Sequence, residues 1–138
     1  MSIDKIAILV KKAALEAEKE QTPILQSRGL TVAQYKILKY LYSQPRDTVR
    51  LVDLENYYSM THPAVIDVLK VLEKKGYTRR VVNPGDARSK IVTLTEKAYA
   101  EQEELEGLGD KMEAQVTKRL SEDERNELIR LLDKMLND

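Results

Sequence analysis

The chain contains no cysteine, no tryptophan and no phenylalanine, and its single histidine is His62. The lack of cysteine excludes disulfides, thiolate metal sites and cysteine redox chemistry, and one histidine excludes a His-rich zinc site. No run of about 18 apolar residues occurs, so we expect no membrane span. The start of the chain lacks the pattern of a signal peptide. We therefore expect a cytoplasmic protein that holds no metal and no cofactor.

Catalytic machinery is equally scarce in the sequence. An enzyme needs a nucleophile–base pair, a phosphate-binding loop or a metal cluster. With no cysteine, one histidine and no glycine-rich loop after a strand, none of these is recognisable. We expect that the protein is not an enzyme.

Charge of either sign is plentiful but balanced, because 23 Lys and Arg against 23 Asp and Glu give a formal net charge of 0. A neutral total argues against a nucleic-acid partner. The distribution argues the other way. Residues 1–60 carry 9 basic and 7 acidic side chains (+2), residues 61–92 carry 7 and 3 (+4), and residues 93–138 carry 7 and 13 (−6). This segregation favours nucleic-acid binding by the basic middle segment.

Apolar periodicity predicts three helices and a hairpin in the middle of the chain. The helices run from Thr31 to before Pro45, over 51–58 and over 61–75, with an extended stretch at 47–50 and strands at 77–83 and 89–94. Thr31 and Thr61 have the positions of N-caps, and Gly76 is the expected stop of the third helix. Pro84-Gly85 supplies the turn chemistry of the hairpin. Residues 31–94 should therefore form one small lobe.

Further helices are predicted at both ends of the chain. The first covers residues 3 to about 21, with Pro23 and Gly29 bracketing a joint, and its apolar stripe is Ile3, Ile6, Val10, Ala13 and Ala17. The others cover 96 to about 119, with a kink at Gly107 and Gly109, and the segment after the capping box at Ser121. The last helix turns these residues inward: Leu128, Leu131, Leu132, Met135 and Leu136.

The terminal helices have two possible arrangements. Either they pack on each other within one chain, or they dimerise. We favour dimerisation, because two separated arms make a poor monomeric core. The expected organisation is a single domain, 1–138, in which 1–22 and 96–138 form a helical dimerisation region around the 31–94 lobe.

The helix at 51–58, the link Ser59–Met60 and the helix at 61–75 have the spacing of a helix-turn-helix, and the hairpin makes it a winged one. Such a motif projects the first turns of its second helix into the major groove, while a basic hairpin lies over the backbone or in the minor groove. The candidate DNA-binding residues lie on the outer face of that helix and on the hairpin. They are Thr61, His62, Pro63, Ile66, Asp67, Lys70, Lys74, Arg79, Arg80, Asp86, Arg88 and Lys90.

Several of these candidates have a second interpretation. Asp86 and Arg88 could be a solvated ion pair, and the other cations an ordinary charged face. His62 could donate to DNA or pack against the turn, and Ile66 could belong to the core or contact a thymine methyl group. Asp67 could accept from a cytosine amino group, but it repels phosphate.

Three segments together resemble the MarR (multiple antibiotic resistance regulator) family: Leu30–Gln34, Val71–Arg80 and Asn83–Lys97. The Leu-Glu-Lys-Lys-Gly sequence within them occurs in many winged helices, but Asp-x-Arg and Leu-Thr-Glu-Lys after it at this spacing are specific. The resemblance implies a mainly α fold with a small β-hairpin wing (α+β). It is a winged helix-turn-helix flanked by N- and C-terminal dimerisation helices.

The same resemblance implies a function. The chain should be a homodimeric repressor of transcription on a pseudo-palindromic operator, with Arg88 in the minor groove, oriented by Asp86. Small aromatic effectors of the family bind between the dimerisation helices and the winged lobe, so Tyr35 and Tyr42 are candidates for an effector pocket, although we favour ordinary packing as their role. The family commonly has alanine and glycine where Glu55 and Ser59 stand. The alternative function is a winged-helix protein–protein interaction module without DNA binding.

Overall fold

The computed structural model describes residues 5–137, which form seven helices and three strands. The helices are α1 (Ile6–Gln26), α2 (Val32–Ser43), α3 (Leu51–Tyr58), α4 (His62–Lys74), α5 (Glu96–Ala100), α6 (Gln102–Val116) and α7 (Glu122–Leu136). The strands are β1 (Val49–Arg50), β2 (Thr78–Asn83) and β3 (Asp86–Leu94). Ile3 of the predicted first stripe lies outside the described residues. The winged helix-turn-helix with flanking helices is confirmed.

Local capping chemistry defines the helices of the winged lobe. The Thr31 hydroxyl accepts from the Gln34 amide at 3.2 Å, and the Gln34 side chain accepts from the Thr31 amide in return. At α4 the Thr61 hydroxyl accepts from the Ala64 amide at 3.3 Å. Beyond the end of α4, Gly76 adopts φ 85°, a left-handed conformation that glycine takes without steric cost. The predicted caps are confirmed.

The three strands form one antiparallel sheet in the order β1–β3–β2. Val49 lies opposite Val92 and Arg50 opposite Ile91, so the short β1 joins the sheet just before α3 begins. Strands β2 and β3 are the wing. β3 begins at Asp86 rather than at residue 89, because Asp86 still pairs with Asn83 across the turn, with a register shift between Val82 and Asn83.

One hydrophobic cluster holds the elements together. From α4 it contains Val65, Leu69 and Leu72, each 0% exposed, with Val68 packed against it. Other members come from both ends of the chain, among them Leu25, Leu105 and Met112. The terminal helices α1 and α6 therefore help to close the core of the winged lobe.

Helix α1 continues through Pro23, which we expected to end it together with Gly29. Proline inside a helix removes a backbone donor. The final turn is nevertheless held, because Leu25 is fully buried in the core and Ile24 packs against it. Burial of one leucine, worth about 1.5–3 kcal/mol, offsets much of the cost of the proline.

The helix predicted from residue 96 to about 119 is broken, but not at its glycines. α5 ends at Ala100 and α6 begins at Gln102, while Gly107 and Gly109 lie within α6. The Tyr42 hydroxyl donates to the Ala98 carbonyl one turn before the break. The helix is therefore interrupted at Glu101, and it is continuous through the two glycines at which we expected a kink.

Helix α7 begins at the predicted capping box, where the Ser121 hydroxyl accepts from the Glu124 amide at 3.1 Å. None of its described residues is buried. The stripe predicted to face inward is exposed in the single chain, from 36% at Leu132 to 80% at Leu136, because no other element covers it. Among residues 5–137, no helix combines the length and apolar character needed to cross a membrane.

Candidate nucleic-acid interface

Helix α4 presents a polar stripe on the side away from the core. Pro63, Asp67, Lys70 and Lys74 are spaced four, three and four residues apart, which puts them on one helix face, and all four are exposed. Their outward direction follows from the burial of Val65, Leu69 and Leu72 on the opposite face. A second helix of a helix-turn-helix uses such an exposed face against DNA.

A cleft of about 450 Å³ lies between α3, the start of α4 and the wing. Its lining is Arg50, Leu51, Val52, Glu55, His62, Ile66, Arg80, Arg88, Ser89 and Lys90. Four of these residues are lysines or arginines, and Glu55 is the one carboxylate among them. A concave, cationic surface of this kind concentrates polyanions.

The cleft brings together five of the twelve candidate residues: His62, Ile66, Arg80, Arg88 and Lys90. Thr61 caps α4 beside it. Arg79 alternates with Arg80 along β2 and lies on the other face of the wing, where it lines a second cleft with Asp47 and Thr93. Arg79 and Arg80 therefore cannot act as one patch.

Each arginine of the cleft has a carboxylate partner. Arg88 Nε lies 3.4 Å from Asp86 Oδ1, and the same oxygen accepts from the Arg88 amide at 3.0 Å. The Arg88 side chain is 93% exposed, so this contact leaves its guanidinium open to a ligand. Arg80 makes two bonds of 2.9 Å to Glu73, which raise the pKa of Arg80. The guanidinium of Arg80 is therefore held more firmly within the protein, and is less available to a ligand, than that of Arg88.

His62, the first residue of α4, is paired across the helix-turn-helix. Its Nδ1 lies 2.9 Å from Oε2 of Glu55 in α3. The side chain of Glu55 is 22% exposed and that of His62 is 58% exposed. Glu55, at a position where the family commonly has alanine, thus supplies a partner for the histidine at the start of α4.

Sequence reasoning missed Arg50, which lines the cleft from β1. Its amide donates to Asp53 Oδ2 at 2.8 Å, and its Nη2 lies 3.0 Å from Asp53 Oδ1. The sequence did contain one signal that could have identified it, because Arg50 is a cation directly before α3, the first helix of the motif. Its place beside the wing depends on the pairing of β1 with β3, which local patterns do not reveal.

Tyr35 and Tyr42 extend from α2 towards the C-terminal helices. Tyr42 donates to Ala98, and the Tyr35 hydroxyl lies so close to Gly109 that a Cβ there would clash with it. Burial raises the pKa of both hydroxyls. Neither tyrosine lines the two clefts described above, and both make packing contacts. Within residues 5–137, no cluster of three His, Cys, Asp or Glu side chains is arranged to hold a metal ion.

The sequence model of the MarR family matches residues 30–90, from the start of the helix-turn-helix lobe into the wing. Wild-type MarR from E. coli in its apo form has the same fold over the whole length, with a TM-score of 0.82 at 28% identity. The alignment covers 99% of this chain and 100% of that chain. Over residues 30–90 the chain therefore resembles the MarR family, and over its full length it shares the fold of MarR. Members are transcription regulators rather than enzymes.

Two MarR-family relatives were solved on DNA. A mutant MarR from E. coli in complex with operator DNA matches with a TM-score of 0.81 at 28% identity, covering 94% of this chain and 91% of that chain. MepR from S. aureus in complex with DNA matches with a TM-score of 0.81 at 28% identity, covering 96% and 97%. The chain therefore shares its winged-helix fold with two regulators that were solved in complex with DNA.

Proposed function

We propose that this protein is a cytoplasmic MarR-family repressor that binds a pseudo-palindromic operator as a homodimer. Residues 61–75 enter the major groove, and the wing, residues 78–94, reaches the minor groove. In this proposal the polar stripe of α4 faces base edges and phosphates, and Arg88 contacts the narrow groove with its guanidinium. Arg79, on the far face of the wing, has a smaller part than Arg80 or Lys90.

One observation carries the proposal: the cleft between α3, α4 and the wing is cationic and open. Arg88 lines this cleft, its side chain is 93% exposed, and it pairs with Asp86. A guanidinium kept in orientation by a neighbouring carboxylate loses less freedom on binding than a free one. DNA complexes of the related MarR and MepR proteins add support for a duplex as the ligand.

The test is binding to a fluorescent duplex selected by this protein from a random-sequence library. Arg88→Ala should weaken binding about ten- to a hundredfold, and the slope of log affinity against log salt should fall by about one per protomer. Arg130→Ala is the matched control, because Arg130 is an exposed arginine on α7 with its own partner, Glu127. It should leave affinity and slope unchanged.

Two results would count against this proposal. If Arg88→Ala binds with wild-type affinity, the wing has no part in recognition. If no duplex binds at low salt, the alternative function, a protein–protein interaction module, explains the structure better. Counterion release makes low salt the most favourable condition for a DNA-binding protein. The segregated charge and the cleft support the DNA reading instead.

The homodimer is proposed on the exposed apolar faces of the terminal helices. Ile6 and Leu9 of α1 are 69% and 45% exposed, and Met135 of α7 is 61% exposed. Monomeric proteins rarely leave such contiguous apolar surface in water. A second copy of the chain is the occupant that also produces the twofold symmetry required by a pseudo-palindromic site.

Ligand release completes the proposal: a small aromatic or phenolic effector binds at the junction of α2 with α5 and α6. Among the described residues, the buried Tyr35 hydroxyl has no hydrogen-bond partner, so a polar ligand there would provide one. Millimolar phenol or benzoate should release the selected duplex. Tyr35→Phe, which keeps the ring and removes the hydroxyl, should weaken release severalfold. A complex that neither compound disturbs would argue against this step.

A further inference from the structure

We propose that His62 binds DNA in its protonated form, with Glu55 holding one ring nitrogen while the other donates a hydrogen bond to an acceptor on the duplex. The inference rests on the proposed function and adds one proton per protomer to the binding reaction. Operator affinity should therefore increase as the pH falls through the range in which histidine titrates.

The contact with Glu55 decides which atoms of the ring are available. A carboxylate only accepts hydrogen bonds, so the 2.9 Å contact requires a proton on His62 Nδ1. Nε2 is the other ring nitrogen and is not the atom in contact with Glu55. It is an acceptor in the neutral ring and a donor in the protonated one. The protonation state of the ring thus sets what Nε2 can bind.

The position of His62 favours the donor state on DNA. It is the first residue of α4, and the N-terminal residues of a recognition helix are those that meet the duplex. The acceptors presented there are phosphate oxygens and the N7 and O6 atoms of guanine. All of them require a donor, and only the protonated imidazole offers one at Nε2.

The charges around the ring change when DNA arrives. In the free protein His62 faces Glu55 on α3, Arg50 on β1, Arg80 on β2, and Arg88 with Lys90 on β3. The three arginines are themselves paired with Asp53, Glu73 and Asp86. Bound phosphates would lie against the Glu55 carboxylate, which repels them while the ring is neutral. Protonation of His62 removes that repulsion, so binding and proton uptake are coupled.

The single histidine makes the test unusually direct, because no other side chain ordinarily changes charge between about pH 6 and pH 8. Fluorescence anisotropy with the selected duplex should give about three- to tenfold tighter binding near pH 6 than near pH 8. His62→Gln should abolish this dependence. Lys74→Gln is the control, since it removes a cation from the same helix without removing the titrating group. It should weaken binding but retain the dependence.

Glu55→Gln separates the pair from a lone histidine. The amide can still accept from Nδ1 but no longer stabilises the imidazolium by charge. We expect the pH dependence of affinity to move to lower pH, with tighter binding at alkaline pH because a negative charge has left the cleft. By NMR, the histidine resonance of the wild-type protein should titrate at higher pH in the complex than in free protein.

A mixed-sequence duplex distinguishes the two acceptors. An equal pH effect on mixed and selected duplexes identifies phosphate, and an effect confined to the selected duplex identifies a guanine edge. Binding that occurs but does not change between these pH values, or that keeps its pH dependence in His62→Gln, overturns the inference alone. Absence of binding to any duplex at low salt overturns it together with the proposed function.

Discussion

Ser59 connects the two helices of the helix-turn-helix in a left-handed backbone conformation, with φ 53°. It follows the last residue of α3, and its amide donates to the Glu55 carbonyl. A residue with a Cβ is strained at such an angle, whereas glycine is not. This explains in physical terms why glycine, common in the family at this turn, suits the turn, and why serine there costs stability.

Ser59→Gly should therefore stabilise the protein, by about 0.5–1 kcal/mol, because relief of the strain exceeds the added entropy of the unfolded chain. Thermal unfolding followed by circular dichroism should show a midpoint about 2–6 °C higher. Ser27→Gly is the control, since Ser27 has a right-handed conformation with φ −60° and should be destabilised by the same change. Equal destabilisation by both substitutions would show that Ser59 is not strained.

His62 and Glu55 form a pair that joins the two helices of the helix-turn-helix. From the sequence, His62 had two interpretations, contact with DNA or packing against the turn. The structure shows an exposed ring held by a carboxylate from the preceding helix. Spacing in the sequence could not reveal this pair, because seven residues and a left-handed turn separate its members.

At the scale of elements, the features that depend on neighbouring residues were predictable. The capping boxes at Thr31 and Ser121, the cap at Thr61 and the stop at Gly76 all act within about four residues, and each is present. Hydrophobic periodicity likewise identified the buried face of α4. Together with the spacing of the two helices around the Ser59–Met60 link and the hairpin that follows, these signals predicted a winged helix-turn-helix.

The features that depend on tertiary contact were not predictable in the same way. The break at Glu101 is held by partners far along the chain, since its carboxylate accepts from Arg28 and from the Tyr77 hydroxyl. α1 passes Pro23 because Leu25 is buried by other elements. In the candidate site, the same limitation explains why Arg50 was missed and why Arg79 was grouped with Arg80. The position of each arginine relative to the cleft depends on strand pairing.

At the scale of the whole molecule, the zero net charge is the sum of separate surfaces. Residues 61–92, which contain α4 and the wing, carry +4, and residues 93–138, which contain α5 to α7, carry −6. Positive charge is then concentrated in the middle segment of the chain, while the acidic helices repel polyanions. This arrangement favours docking in one orientation and weak binding in others.

The acidic C-terminal segment also has a large exposed apolar surface, which is one face of α7. Leu128, Leu131, Leu132 and Met135 are 36–61% exposed and follow helical spacing along it. Within the described chain nothing buries them, so the dimer proposed above should do so. Leu132 is the central residue of this face.

Leu132→Glu should dissociate the dimer, because a carboxylate at the centre of an apolar interface loses its hydration without gaining a partner. Light scattering after size exclusion should give a mass near that of one 15.8 kDa chain instead of two. Asn126→Glu adds the same charge to the other side of α7, at an exposed position, and should remain dimeric. The Leu132→Glu monomer should keep its helical content and bind single half-sites weakly, since its winged lobe is intact. A dimer unaffected by Leu132→Glu would show that the face of α7 is not the interface.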